Sequence, residues 1–362
     1  MDLFNGVLSI LVHVAIAIVL VVYVPISLLW RLAVFVFARP FLKEDMRGKV
    51  VLITGASSGI GEQLAYRYAK RGAYLVLAAR REAELKAVAK AAKNNGAPDV
   101  LVIPADISDC SESKRVIDEA IAHFGQLNHL VVNAGIFSSC LFEEITNISA
   151  FRQVMDVNYW GSVYPTYYAI PHLKKSRGNI IVTASMAGRL PTARLSFYNA
   201  SKGALIRFYE TLRAELGPEV KITILTLGYV ASELTRGKAL QKGGEYGINE
   251  EVRDVQVGPL PVGHTEKCAE VVVDSACRGD TYVTWPSWYR PLHMVMCVAP
   301  EIVDWFSRSF YVAKPGSSSG KTLSQKILEA TGAKKFLYPA SIRSGGSDCV
   351  LTDDRGIKVY VG

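Results

Sequence analysis

What the chain lacks narrows the possibilities first. No Asp, Glu, Lys or Arg occurs in residues 7–30. Cysteine is sparse: Cys110, Cys140, Cys268, Cys277, Cys297 and Cys349 are the six, and none forms a Cys-x-x-Cys pair. That usage argues against a disulfide framework and a structural zinc site. The scattered histidines offer no His-x-x-x-His spacing, so no metal is expected. The formal net charge is +8, yet no Lys/Arg stripe with interleaved aromatics is present, and nucleic acid is not an expected partner. The positive balance suits an anionic membrane surface or a phosphorylated ligand instead.

The uncharged run is long enough to cross a hydrocarbon core as a helix, and apolar character resumes in residues 32–38. A cleaved signal peptide fits poorly, because no basic residue precedes the run and the run exceeds a usual signal core. Pro25 leaves two readings open: one spanning helix that tolerates a proline, or a hairpin bent there with arms at 7–24 and 26–38. Arg31, Arg39, Lys43, Arg47 and Lys49 follow the run while Asp2 precedes it. The positive-inside rule then puts the rest of the chain on the cytoplasmic side. Residues 1–45 are expected to be a membrane or lipid anchor.

Beyond it, strand-like and helix-like patterns alternate. Residues 49–54 read as a strand running into Gly55-Ala-Ser-Ser-Gly-Ile-Gly61 and then a helix. The glycines permit a tight turn, and the helix start offers unpaired N–H groups to a pyrophosphate. Further strands are expected at 74–79, 100–105, 129–132, 178–184, 220–227 and 281–284. The fold class is α/β: a Rossmann-type, doubly wound, mainly parallel seven-stranded sheet, with the catalytic domain over 46–284. The second strand ends in Arg80-Arg81, with no carboxylate where an NAD-preferring site often carries one. Residues 149–173 read as a helix interrupted by Pro165 and Pro171.

The candidate chemistry lies between Ser185 and Lys202. Tyr198 and Lys202 are four apart, so a helix puts both on one face. A neighbouring ammonium stabilises a phenolate, and such a pair can exchange a proton with an alcohol or carbonyl oxygen. Ser185, at the end of the preceding strand, can hold the same oxygen. Alone, the spacing also describes an amphipathic tyrosine beside a solvated lysine.

In this order, Thr54-Gly-Ala-Ser-Ser-Gly-Ile-Gly61, Asn133-Ala-Gly135, Asn158, Ser185, Tyr198 and Lys202 resemble the short-chain dehydrogenase/reductase family over roughly residues 45–300. Within it the chain is most similar to the 11-beta-hydroxysteroid-dehydrogenase-like proteins, especially the plant oil-body steroleosins. The resemblance implies a catalytic set of Tyr198 (acid/base), Lys202, Ser185 and Asn158, the last holding a water of a proton relay. It implies substrate contact by Ser185 and Tyr198. It implies NADP(H) binding by Gly55, Ser57, Ser58, Gly59, Ile60, Gly61, Arg80, Arg81, Asp106, Ile107, Asn133, Ala134, Gly135, Val230 and Ser232, besides Tyr198 and Lys202. Three departures stand out: Ser58 where several NADP-using relatives carry Lys, Leu227 where many members carry Pro, and a lone Pro25 where the oil-body anchor usually has more.

Residues 229–264 resemble the family's variable substrate lid. The aromatic stretch 285–315 is expected to contact lipid or a second subunit, giving a homodimer. Gly316-Ser-Ser-Ser-Gly320 looks like a linker, and 316–362 like a flexible tail. Two glycosylation triplets begin at Asn147 and Asn199; the second abuts the candidate tyrosine, where a glycan would obstruct it. The expected activity is hydride transfer between NADP(H) and a sterol or steroid alcohol or ketone of 11-beta or 17-beta type. The expected location is a lipid droplet, or alternatively the endoplasmic reticulum. A retinol-like or 3-ketoacyl reductase, or a mainly structural lipid-droplet protein, are the alternatives.

Overall fold

The computed structural model describes residues 1–33, 37, 43–313, 320–343, 350–352 and 358–360. It divides into two compact units, Met1–Asp45 and Met46–Gly362.

The first unit is helical: α1 (Asp2–Ile18), a π turn at Val19–Tyr23, then α2 (Val24–Ala33). Its span Asp2–Trp30 has 29 residues and a hydropathy of 2.9. At 1.5 Å per residue that is about 43 Å, against a hydrocarbon core of about 30 Å. The helix runs through Pro25 without reversing. A proline lacks an N–H and crowds the carbonyl four residues back; here the wider π turn immediately precedes it, the usual kind of local adjustment. Among the described residues the single-helix reading holds. The second hairpin arm, 26–38, falls partly outside them, as does Arg39.

In the second unit the strands are β1 (Val50–Thr54), β2 (Tyr74–Ala79), β3 (Val100–Pro104), β4 (His129–Val132), β5 (Asn179–Thr183), β6 (Lys221–Leu227), β7 (Lys238–Leu240), β8 (Tyr246–Ile248), β9 (Tyr282–Trp285), β10 (Val350–Thr352) and β11 (Lys358–Tyr360). Seven of them form one sheet in the order β3-β2-β1-β4-β5-β6-β9. Every neighbouring pair is parallel. The helices are α3 (Gly59–Ala69), α4 (Glu82–Asn94), α5 (Cys110–Phe124), α6 (Arg152–Met155), α7 (Gly161–Ser176), α8 (Ser196–Leu216), α9 (Glu250–Gln256), α10 (Thr265–Arg278), α11 (Tyr289–Val298), α12 (Pro300–Tyr311), α13 (Leu323–Thr331), α14 (Lys334–Leu337) and α15 (Ala340–Arg343).

Strand residues alternate between two cores, which is why the central strands are apolar throughout. Val51, Ile53, Leu75 and Leu77 meet Leu64 and Tyr68 of α3, Leu85 of α4 and Val272 of α10. Val50, Leu52, Val76 and Ala78 meet Val116 of α5, Leu173 of α7 and Leu205 of α8. The strand order reverses between β1 and β4, so the loops after these strands open a crevice at their carboxyl ends.

Two expectations are corrected. Helix α7 continues through Pro165 and Pro171 to Ser176; the irregularity is upstream, a π turn at Asp156–Trp160 between α6 and α7. Residues 320–343, expected as flexible tail, form α13–α15 against the lid. Leu328, Tyr338 and Ile342 are buried with Ala231, Val257 and Val262. The Tyr338 hydroxyl donates to the Gly258 carbonyl at 2.8 Å, and Arg253 Nη1 donates to the Ile342 carbonyl at 3.2 Å. Thr322 and Gln325 close a reciprocal capping box on α13. Residues 314–319, most of the expected linker, lie outside the described residues, as does Cys349. The lid itself is ordered by the antiparallel β7–β8 hairpin and by α9.

Candidate active site

The turn after β1 is shaped for close approach. Gly55 and Gly59 adopt φ of +66° and +61°, which suits residues without a Cβ. A Cβ on Gly61 would lie 2.3 Å from the Gly55 carbonyl oxygen and 2.7 Å from Asn133 Nδ2, so α3 starts hard against the loops. No side-chain cap occupies the first-turn N–H groups of α3. An uncapped helix start beside glycines is a fit for a pyrophosphate. Thr54, which opens the motif quoted from the sequence but was given no role there, ties the crevice together: its Oγ1 accepts the backbone N–H groups of Asn133 and Ala134 at 3.0 and 3.2 Å. Asn133 Nδ2 donates to the carbonyls of Thr54 and Gly55.

At the end of β2, Arg81 Nη2 donates to the hydroxyls of Ser58 (2.6 Å) and Ser57 (3.1 Å), while Nη1 reaches Glu233 at 2.8 Å. Lys238 also binds Glu233, at 2.6 Å, and these two cations hold the Glu233 carboxyl below its usual range against the opposing effect of burial, the largest single influence. Glu233 was not among the expected site residues. Arg80 is more open, 3.9 Å from Asp106, whose Oδ1 accepts from the Ser108 amide and hydroxyl. The corner is basic and rich in hydroxyls, a chemistry that can hold an anionic group.

The second half of the site comes from β5 and α8. Ser185 ends the β5 turn, where its Oγ accepts from the Ala187 amide at 3.1 Å and donates to the Leu227 carbonyl at 3.3 Å. Tyr198 and Lys202 are both buried on one face of α8, and Phe137 stands edge-on to the Tyr198 ring, with centroids 5.0 Å apart. Burial pushes the Tyr198 phenol up to about 12, partly offset by its hydrogen bond with Ser185. Burial pushes the Lys202 amine down to about 8. The shift of the phenol is thus upward, the reverse of the lowering expected from the amine. Lys202 Nζ donates to the Thr183 carbonyl at 2.9 Å and lies 5.8 Å from the Tyr198 ring centroid.

Asn158 sits in the π turn, fully buried. Its Oδ1 accepts the Ile136 amide at 2.7 Å, and its Nδ2 donates to the Ile136 carbonyl (3.0 Å) and to Ser201 Oγ (2.9 Å). Ser201 in turn donates to the Tyr198 carbonyl at 2.8 Å. Asn158 therefore braces the backbone after Asn133-Ala-Gly135 against the helix bearing Tyr198. Ser201 went unnoticed in the sequence, although its position one turn after Tyr198 suits bonding back to a helix carbonyl.

One cavity of about 750 Å³ joins these parts. Its wall includes Gly55, Ser57, Ser58, Gly59, Ile60, Arg80, Arg81, Asp106, Ile107, Asn133, Ala134, Gly135, Ser185, Tyr198, Lys202, Val230 and Ser232. Of the expected residues, Gly61 and Asn158 are not in the wall; both act from behind it. The remainder of the cavity is walled by the lid, α11, α12, the segment between β5 and α8 that carries Met186 and Leu190, and Phe137 after β4. The arrangement can hold an extended dinucleotide along the β-strand ends and present the Tyr198 phenol and the Ser185 hydroxyl to an oxygen on an apolar partner.

Comparison with known proteins agrees with this geometry. Residues 49–243 match the family described as short chain dehydrogenase. The chain is 51% identical over 303 residues to 11-beta-hydroxysteroid dehydrogenase A of Arachis hypogaea, covering 84% of this chain and 87% of that one. Among solved structures it resembles an alcohol dehydrogenase from the archaeon Thermococcus sibiricus complexed with 5-hydroxy-NADP: TM-score 0.55, 25% identity, 67% of this chain and 97% of that one. It also shares its fold with a short chain dehydrogenase/reductase from Burkholderia phymatum in complex with NAD: TM-score 0.62, 23% identity, 71% of this chain and 96% of that one.

Proposed function

Because the chain belongs to the short-chain dehydrogenase/reductase family, we propose that it is an NADP-dependent hydroxysteroid dehydrogenase, interconverting a sterol or steroid alcohol and its ketone. The observation that carries this reading is the half-buried Ser185 beside the buried Tyr198 and Lys202, in a cavity continuous with both a glycine cradle and an apolar chamber. The name of the Arachis hypogaea relative supports the substrate class, and the Arg80, Arg81, Ser57, Ser58 corner supports NADP over NAD.

When bound, the nicotinamide cofactor supplies or accepts the hydride. The protein's part is proton handling and orientation. Ser185 and Tyr198 hold the substrate oxygen by hydrogen bonds. In the reducing direction Tyr198 donates its phenolic proton to that oxygen as negative charge grows on it; in the oxidising direction the phenolate takes the proton back. Lys202 places its positive charge near the phenolate and faces Gly135, where a ribose can be held. Asn158 keeps Tyr198 in register with the Asn133–Gly135 loop. Burial of the phenol keeps it protonated at neutral pH, which favours its use as an acid.

The long apolar helix Asp2–Trp30 supports attachment to a membrane or lipid-droplet surface, with the catalytic unit on the cytoplasmic side. Exposed Met294, Val298 and Trp305 on α11 and α12 support lipid or second-subunit contact by residues 285–313. In the direct test, wild-type protein changes NADPH absorbance with estradiol/estrone or cortisol/cortisone, and Tyr198→Phe lowers the rate by a factor of about 10²–10⁴. Equal turnover by both proteins would overturn the assignment of Tyr198.

A further inference from the structure

The turn that opens the lid stands against the cofactor cradle. A Cβ on Gly59 would lie 3.4 Å from Ser232 Cβ, and the next residue, Glu233, reaches across to Arg81. Its two oxygens are divided between two cations: Oε1 accepts from Arg81 Nη1 at 2.8 Å, and Oε2 accepts from Lys238 Nζ at 2.6 Å. The other groups that Arg81 holds, the Ser57 and Ser58 hydroxyls, are neutral. Arg81 and Lys238 therefore share a single negative charge. All three side chains line the cavity and keep between 27% and 38% of their surface exposed, so a solute in the cavity can reach them.

The ammonium is held in place by the lid's own structure. The Lys238 amide donates to the Glu233 carbonyl at 3.0 Å. Thr235 Oγ1 closes the intervening turn, accepting from the Ser232 amide and donating to the Val230 carbonyl, both at 2.9 Å. Lys238 begins β7, whose Leu240 amide donates to the Phe137 carbonyl at 2.8 Å and whose Ala239 is buried with Phe137 and Tyr198. The strand carrying the ammonium is thus fixed at the catalytic end of the cavity. Two cations on opposite oxygens of one small anion are also a grip for phosphate, which brings more charge and more acceptor oxygens than a carboxylate.

We propose that Lys238 is a phosphate ligand contributed by the lid: with Arg81 it binds the additional phosphate on the adenosine ribose of NADP, which takes the place of Glu233 between them. The lid then takes part in choosing the cofactor as well as the substrate, and Glu233 is the internal competitor that sets how firmly the phosphate is held. This inference rests on the NADP reading above and adds a residue that the segments after β1 and β2 do not contain. The rival role for Lys238 is indirect, drawing Glu233 away from Arg81, and a double-mutant cycle separates the two.

The test is calorimetric titration of the full chain in detergent with NADPH and with NADH, which differ only in that phosphate. Lys238→Met should weaken NADPH about tenfold, as expected for one charge-assisted hydrogen bond, and leave NADH within about twofold. Lys238→Arg, which keeps the cation, should retain most of the NADPH affinity. In a Glu233→Gln background the Lys238→Met change should again cost about tenfold. A loss that vanishes in that background, or an equal loss for both nucleotides, would overturn the direct contact. Wild-type protein that binds the two nucleotides equally would refute the NADP reading and the proposal with it. A wild-type preference for NADPH that Lys238→Met leaves untouched would strike out Lys238 alone.

Discussion

The two halves of the cavity are built in different ways. The cofactor half is made of backbone: glycines at the ends of strands, an uncapped helix start, and short side chains such as Thr54 and Asn133 that bond to main-chain atoms. The substrate half is made of side chains, carried by the β7–β8 hairpin, α9, α11 and α12 and braced by α13–α15. Backbone recognition tolerates almost no change in shape, whereas a side-chain wall can be altered one residue at a time. The first half therefore suits a cofactor common to many reactions, and the second a particular substrate.

Four perturbations sharpen this contrast. The largest lies at the seam. Burial lowers the folded-state pKa of Lys202 to about 8 from a usual 10.5, so between these values the unfolded chain binds more protons and stability rises with pH. Complete titration corresponds to roughly 3 kcal/mol. Urea melts at pH 8 and pH 10 should show this rise in wild type and not in Lys202→Met; parallel behaviour would mean the amine is better solvated than its position indicates. The raised phenol of Tyr198 acts oppositely, costing stability from about pH 10 to 12.

Next comes Gly61→Ala. The added methyl meets a carbonyl oxygen and an amide nitrogen, neither able to yield, and overpacking of this kind costs about 1–3 kcal/mol. NADPH affinity should fall roughly thirtyfold, a little over 2 kcal/mol. Unchanged NADPH binding would dissolve the claim that backbone shape governs that half. Ending the chain after residue 320 tests the other half. It removes the support of Arg253 and Val257, so steroid KM should rise roughly tenfold, with NADPH affinity within about twofold. An equal loss of both would mean the halves are not separable. The smallest effect belongs to Glu233→Gln. A carboxylate now occupies one side of the Arg81 fork; neutralising it should tighten NADPH binding by about threefold and leave NADH unaffected. Tightening of both equally would separate Glu233 from the phosphate corner.

The sequence made the cofactor half legible because its physical requirements are local. A turn without side chains needs glycines at set spacing, and a strand buried on both faces needs an unbroken apolar run. The seven strands could be read this way, whereas Ser185, Tyr198 and Lys202 stood out only through the family resemblance, because their spacing alone also fits a solvated helix face. What escaped depends on distant partners. Thr54 is one more strand residue until Asn133 and Ala134 arrive 79 and 80 positions later. Glu233 is one more lid carboxylate until it meets Arg81, 152 positions away. The direction of the Tyr198 shift was missed because helical spacing reports nearness to Lys202 but says nothing about how deeply both are buried. Residues 320–343 were taken for a tail because they follow a linker-like stretch and carry no chemical motif, yet Leu328, Tyr338 and Ile342 suffice to seat three short helices on the lid.

The tie between Arg253 and the Arg343 carbonyl spans 90 positions of chain. During synthesis from the amino end, the hydrophobic helix emerges first and can find a lipid surface while the nucleotide cradle is still being made. The brace on the lid forms only after residue 343 has left the ribosome. The lid would then be the last wall of the cavity to be completed in each molecule.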